Sequence, residues 1–140
     1  MNRAVLADTG PLYAAVDPDD QYHARAQAEL ADLIANGWQV AVTLPTAFEA
    51  YALILYRLGI DAAHRWLDDL TASTTPLIPT VADAAAAFAI VRRYPDQDLT
   101  LFDALLAVAS KRLTALVWTY DAHFDMLRAD RWYTSGTERA

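Results

Sequence analysis

Four acidic residues stand where apolar runs would otherwise continue. Asp8 ends Ala4-Val5-Leu6-Ala7, and Glu49 sits inside Ala47-Phe48-Glu49-Ala50-Tyr51-Ala52-Leu53. Asp103 breaks Leu101-Phe102-Asp103-Ala104-Leu105-Leu106, and Asp121 follows Leu116-Val117-Trp118-Thr119-Tyr120. A carboxylate buried without a partner is costly, so such residues are normally paired, hydrogen-bonded or bound to a cation. The chain has a single lysine, Lys111, and no arginine falls inside these runs. If the four acids converge they also repel: at about 4 Å and an effective dielectric near 20, a close pair costs roughly 4 kcal/mol. Proton uptake or a divalent cation relieves that repulsion. Oxygen donors without cysteine or a histidine pair favour Mg²⁺ or Mn²⁺ over Zn²⁺. Such ions stabilise the attacking and leaving oxygens of phosphodiester cleavage.

Each acid alone has a plainer reading. Asp8 can cap a helix ahead of Pro11, Asp103 can complement a helix dipole, Asp121 can close a turn and Glu49 can face solvent. Convergence depends on the elements that carry them. Short β-rich runs alternate with longer helical ones, the pattern of a parallel sheet with helical crossovers. Arg3 to Ala7 reads as a buried first strand, after which Gly10-Pro11 opens a helical stretch. Asp17-Pro18-Asp19-Asp20 supplies a turn and cap for a helix over Gln21 to Ala35, stopped near Asn36-Gly37. Gln39 to Thr43 is a second strand, Pro45 starts the helix carrying Glu49, and Gly59 ends it before another begins at Asp61.

Pro76-Leu77-Ile78-Pro79 reads as a short third strand limited by its prolines. Thr80-Val81-Ala82-Asp83 has the form of a capping box ahead of a helix to Arg93. After a loop from Tyr94 to Asp98 come a helix over Thr100 to Arg112 and a fourth strand over Ala115 to Thr119. Arg131 to Thr134 completes the pattern as a short fifth strand. Asp8 and Asp121 then follow strands at their carboxyl ends, the edge where open α/β sheets bind ligands. Glu49 and Asp103, each early in its helix, can lean over the same edge. The expected fold is α/β, one domain over residues 1–140, with a mostly parallel central sheet of four or five strands.

Composition narrows the setting. Alanine supplies much of the 55% hydrophobic content, as in Ala84 to Ala87, which favours a helix-rich domain. No run of 18 residues is apolar and free of charge, and the N-terminus lacks a long apolar segment, so neither a membrane span nor a signal peptide is expected. The absence of cysteine excludes disulfides, thiolate catalysis and cysteine-type zinc sites, and suits the cytoplasm. A net charge of −7 argues against broad phosphate-backbone binding. Part of that charge, however, is the four acids, which a bound cation would neutralise.

The same residues carry a family resemblance. Val5-Leu6-Ala7-Asp8-Thr9-Gly10-Pro11-Leu12 resembles the opening motif of PIN-domain nucleases, and Thr46-Ala47-Phe48-Glu49 is similar to their second. Asp98-Leu99-Thr100-Leu101-Phe102-Asp103-Ala104-Leu105 resembles the third, and Thr119-Tyr120-Asp121-Ala122-His123-Phe124 the fourth. Order and spacing match over nearly the whole chain, most closely the VapC-type toxins of bacterial toxin–antitoxin pairs. The resemblance implies a three-layer, Rossmann-like PIN fold and Mg²⁺- or Mn²⁺-dependent endoribonuclease activity. It also implies a homodimer and inhibition by a small cognate antitoxin. On that reading Asp8 and Asp103 ligate metal, while Glu49 and Asp121 complete the pocket directly or through water. Thr9 and Thr119 orient carboxylates or the scissile phosphate, and Asp98 is a further ligand candidate from its loop. Gly10 departs from the pattern, since these proteins often carry a small polar residue there.

Two other function classes fit parts of the pattern. A haloacid-dehalogenase-type phosphohydrolase also uses an aspartate after its first strand, but wants a second acid where this chain has Gly10. A non-catalytic interaction domain of the same fold would have no need of all four acids. His23 and His64 read as solvated helix residues, and His123 as either a phosphate contact or loop packing. Arg92, Arg93, Lys111 and Arg112 are candidates for a basic rim toward RNA, or for simple helix-end charges. The stripe Tyr51, Ile54, Leu55 and Leu58 reads as core, dimer contact or antitoxin groove.

Overall fold

A computed structural model describes residues 3–134 of the chain. Its sheet has three parallel strands, β1 (Ala4–Ala7), β2 (Gln39–Ala41) and β3 (Leu116–Trp118), in the order β2-β1-β3. Around it lie α1 (Thr9–Val16), α2 (His23–Ala35), α3 (Leu44–Leu58), α4 (Ile60–Ser73), α5 (Val81–Arg93), α6 (Leu101–Leu113) and the short α7 (His123–Met126). Because the chain runs from β1 to β2 on one side and later to β3 on the other, the carboxyl end of β1 is a topological switch point.

The period-two alternation of β1 divides the core into two layers. Val5 and Ala7 face a cluster with Tyr13, Ala26, Leu33, Ile54, Trp66 and Trp118, drawn from α1 to α4 and β3. Leu6 faces the opposite cluster, with Leu106, Ala107, Val117, Phe124 and Leu127. Both faces of β1 are therefore covered, which is why it reads as an unbroken apolar run. The tryptophans follow suit: Trp66, Trp118 and Trp132 are buried.

The sheet is narrower than the expected four or five strands. The segment between Pro76 and Pro79 contributes only the bridge of Leu77 to Thr43, because neither proline can donate to a ladder. Arg131 likewise contributes a single bridge, to Val117. Both short segments sit as fringes on the outer strands.

Local signals fix most helix ends. Thr80 and Asp83 form the capping box of α5, with Asp83 N–H donating to Thr80 Oγ1 at 3.0 Å and Thr80 N–H to Asp83 Oδ2 at 2.9 Å. Gly59 closes α3 and opens α4 at φ 93°, a left-handed value that disfavours a side chain. The start of α2 differs from expectation. Asp17 and Asp20 accept bonds from the Asp19 and Tyr22 amides, so these acids shape the turn and the helix begins later, at His23.

Candidate metal centre at the switch point

Asp8 leaves β1 in extended conformation and caps α1. Its Oδ1 accepts the Thr9 amide at 2.8 Å, so the cap of α1 is also a candidate site residue. Pro11 lies inside the first turn of α1, where its missing N–H is no loss. The other oxygen, Oδ2, accepts the Thr119 hydroxyl at 2.7 Å. Thr119 Oγ1 in turn accepts the Asp121 amide at 3.0 Å. One buried hydroxyl thus joins the acids that follow β1 and β3.

Thr9 makes the second joint. Its side chain points back toward α3, where its hydroxyl donates to Glu49 Oε1. Asp103 stands in the first turn of α6, its amide held by the Thr100 cap at 3.1 Å. Asp121 Oδ1 accepts the His123 amide at 2.8 Å, and His123 Nδ1 lies 3.0 Å from that same oxygen. Donor atoms of Asp103, Asp121 and His123 lie within 4.8 Å of one another.

The electrostatics show the same convergence. Burial pushes the Asp8 carboxyl up to about 6; the bonds from Thr119 and Thr9 oppose this, and the charges of Asp103 and Glu49 add to it. Burial and then the charge of Asp121 also raise Asp103. Among the described residues no lysine or arginine pairs with Asp8, Glu49, Asp103 or Asp121. A cluster this acidic and this short of cations fits a divalent ion, with carboxylate oxygens as its donors. His123 adds one nitrogen to the expected oxygen-only set, and an imidazole among carboxylates suits Mn²⁺ at least as well as Mg²⁺.

Other residues named from the sequence have different places. Asp98 is exposed in the loop before α6 and makes no hydrogen bond or ion pair among the described residues. Arg112 clasps Asp83 with three bonds of 2.8–3.0 Å, and Lys111 Nζ donates to the Leu127 carbonyl at 2.5 Å. Those two cations therefore brace the fold, while Arg92 and Arg93 stay exposed at the end of α5. His23 is not simply solvated: its Nδ1 lies 2.7 Å from the Ala14 carbonyl. An apolar cavity of about 450 Å³, lined by Leu12, Val16, Leu30, Trp38, Trp66 and Trp118 among others, includes none of the four acids. At Gly10 an added Cβ would come no closer than 4.0 Å, to the Tyr120 ring, so a small polar residue would fit there.

Glu29 escaped the sequence reading. It is a buried acid on α2 whose Oε1 accepts both the Trp118 indole N–H and the Tyr120 hydroxyl. The signal was present in its position: Ala26, Glu29 and Leu33 share one helical stripe, and the other two are fully buried.

Several solved structures share this architecture. VapC20 of Mycobacterium tuberculosis, described as a sarcin-ricin loop cleaving toxin, matches with a TM-score of 0.78 at 17% identity, over 89% of this chain and 95% of that one. FitAcB of Neisseria gonorrhoeae matches with a TM-score of 0.67 at 19% identity, over 92% and 96%. VapBC2 of Rickettsia felis, bound to a DNA fragment from its promoter, matches with a TM-score of 0.68 at 12% identity, over 93% and 99%. No functionally curated protein matches the chain significantly. The family model described as PIN domain matches residues 5–129, from the first strand past Asp121. The chain belongs to the PIN domain family.

Proposed function

We propose that this chain is a metal-dependent endoribonuclease and the toxin of a VapC-type toxin–antitoxin pair. The observation that carries the reading is a group of Asp103, Asp121 and His123 with Asp8 and Glu49 in electrostatic reach, unpaired by any lysine or arginine among the described residues, in a PIN fold. Asp8 and Asp103 would hold a Mg²⁺ or Mn²⁺ ion directly, and Glu49 and Asp121 would complete its surroundings directly or through water. Such an ion supplies Lewis acidity toward the phosphodiester oxygens and the attacking water. The chain's own residues set the geometry. Thr119 fixes Asp8 relative to Asp121, and Thr9 fixes Glu49 relative to the start of α1. Glu49, half-buried, or Asp121 would orient a water and take up its proton as that water attacks phosphorus in line. One P–O bond forms as the opposite one breaks, and no covalent bond to the protein is made.

RNA as substrate and a small antitoxin as partner are supported by the relatives, one described as cleaving the sarcin-ricin loop and others named as two-component assemblies. A homodimer acting in the cytoplasm completes the proposal. No helix among the described residues is long and apolar enough to cross a membrane. The test is cleavage of a panel of structured RNAs, a sarcin-ricin hairpin included, with Mg²⁺ or Mn²⁺ and with chelator. Cleavage that chelator abolishes is expected. Cleavage at full rate in excess chelator would refute the metal's role, and no cleavage of any RNA would favour the non-catalytic alternative.

A further inference from the structure

The segment after β3 carries two parts of the site, Thr119 and Asp121, yet it has left the sheet. The last ladder bond there runs from the Asp8 amide to the Trp118 carbonyl, at 2.9 Å. From Thr119 onward the backbone is held by the Arg131 guanidinium on the Thr119 carbonyl at 3.2 Å, by the Phe124 amide on the Asp121 carbonyl at 3.4 Å and by the side chains of the segment itself. Successive residues of an extended segment point to opposite sides. Thr119 points to Asp8, whereas Trp118 and Tyr120 both reach back to α2 and meet at one atom, Glu29 Oε1. Trp118 Nε1 donates to it at 3.2 Å and the Tyr120 hydroxyl at 2.5 Å.

We propose that Glu29 is a positioning residue of the acid site, acting through Trp118 and Tyr120 to hold Thr119 and Asp121 in place; this rests on the function proposed above. Glu29 is only 5% exposed, on an apolar stripe that Ala26 and Leu33 otherwise fill. Packing alone does not ask for an acid there, since a leucine would serve the same stripe. Nor does an ion pair account for it. Its one ion-pair partner among the described residues, Arg25, stands 3.5 Å away with nearly half its side chain exposed, a pairing of small value. Arg25 instead lies over the Tyr120 ring, 4.4 Å from its centroid, and the Tyr22 ring packs on the same tyrosine at 4.9 Å. The carboxylate, the guanidinium and the second ring all act on Tyr120. That residue lies directly between the hydroxyl that joins Asp8 to Asp121 and Asp121 itself.

Placement errors of about 1 Å in a catalytic site cost on the order of 100-fold in rate. The test compares the purified full chain with Glu29→Ala, Glu29→Gln and Tyr120→Phe, all at a temperature where each is folded. It reads kcat and KM for RNA cleavage with Mn²⁺ and, separately, amide hydrogen exchange at Asp121. Glu29→Ala is expected to lower kcat by about 10- to 100-fold with KM nearly unchanged. It should also speed Asp121 exchange by at least about tenfold while β1 amides keep their protection. Glu29→Gln, which keeps an acceptor at Oε1, should restore both to within about threefold, and Tyr120→Phe should give about a tenfold loss. Should Glu29→Ala fail to fold, Tyr120→Phe carries the test. Wild-type kcat and wild-type Asp121 exchange in folded Glu29→Ala, or in Tyr120→Phe if that variant must stand in, would overturn the proposal. Fast Asp121 exchange in Glu29→Ala, in a protein whose wild type cleaves no RNA, would refute the nuclease reading and leave the positioning role standing.

Discussion

Asp8 and Asp83 are both buried carboxylates at the N-terminus of a helix, and both accept a backbone amide there. They differ in what lies opposite. Asp83 receives Arg112 through three short bonds, and that guanidinium holds its carboxyl below the ordinary range. Asp8 receives a hydroxyl and an amide, faces Asp103 and Glu49, and is pushed up to about 6, chiefly by burial. A buried acid that serves the fold brings its cation with it. Asp8, left among other acids, has no such partner among the described residues, and that difference is what the proposed metal role would explain.

The two positions should therefore fail in opposite ways. Asp8→Asn is expected to reduce RNA cleavage by at least about 100-fold, more than a typical loss of a metal's outer hydrogen bonds. The fold should survive, since an amide nitrogen at this place can donate to Thr119 Oγ1 once that hydroxyl turns. Steady-state cleavage assays beside circular dichroism check both halves. Asp83→Ala should leave kcat within about twofold, because it touches none of the acids at the switch point.

Next in size is a pH effect in the metal-free protein. Burial pushes the folded Asp8 carboxyl up to about 6 from the ordinary 3.8 of an exposed aspartate, so the folded state binds the proton more tightly. Its contribution to stability is therefore fully present below pH 3.8 and is lost as the pH rises through about 6. At 1.36 kcal/mol per unit that loss amounts to about 3 kcal/mol. The measurable form is a difference. Urea denaturation should show Asp8→Asn gaining on wild type between pH 4 and pH 7, with the gain complete near pH 7. A difference that stays flat over this range would contradict the desolvation of Asp8.

Smaller effects follow. Asp83→Ala removes half a capping box and the Arg112 clasp, and should cost about 2 kcal/mol in urea denaturation at neutral pH. Millimolar Mn²⁺ should raise the wild-type melting temperature, by about 1.4 kcal/mol of stability at ten times Kd, because the ion binds the folded state alone. Asp8→Asn should lose this shift and Asp83→Ala should keep it.

What the sequence made legible follows from which interactions are local. The capping box at Thr80 and Asp83, the break at Gly59 and the buried run of β1 each rest on neighbours a few residues apart, and each stands in the structure. The four acids were legible because a charge within an apolar run is an anomaly in one dimension. What they are bonded to was not. The bond from Thr119 to Asp8 spans 111 residues, and the Arg112 clasp on Asp83 spans 29. Lys111 and Arg112, read as either an RNA-facing rim or helix-end charges, brace the fold from the last turn of α6 through such distant partners. Glu29 was hidden by ordinary surroundings, since Arg25 four residues before it makes it resemble a surface helix pair. The two strands that shrank to single bridges lie at the edges of the sheet, where prolines and short length limit pairing.

Calorimetric titration of the metal-free chain with Mn²⁺, in two buffers of different ionisation enthalpy near pH 6, addresses the central claim most directly. Binding that releases protons is expected in wild type and in Asp83→Ala, because the raised carboxyls must ionise to accept the ion. In Asp8→Asn the affinity should fall by at least about tenfold. No binding by wild type at millimolar Mn²⁺, or an unchanged isotherm in Asp8→Asn, would contradict the account.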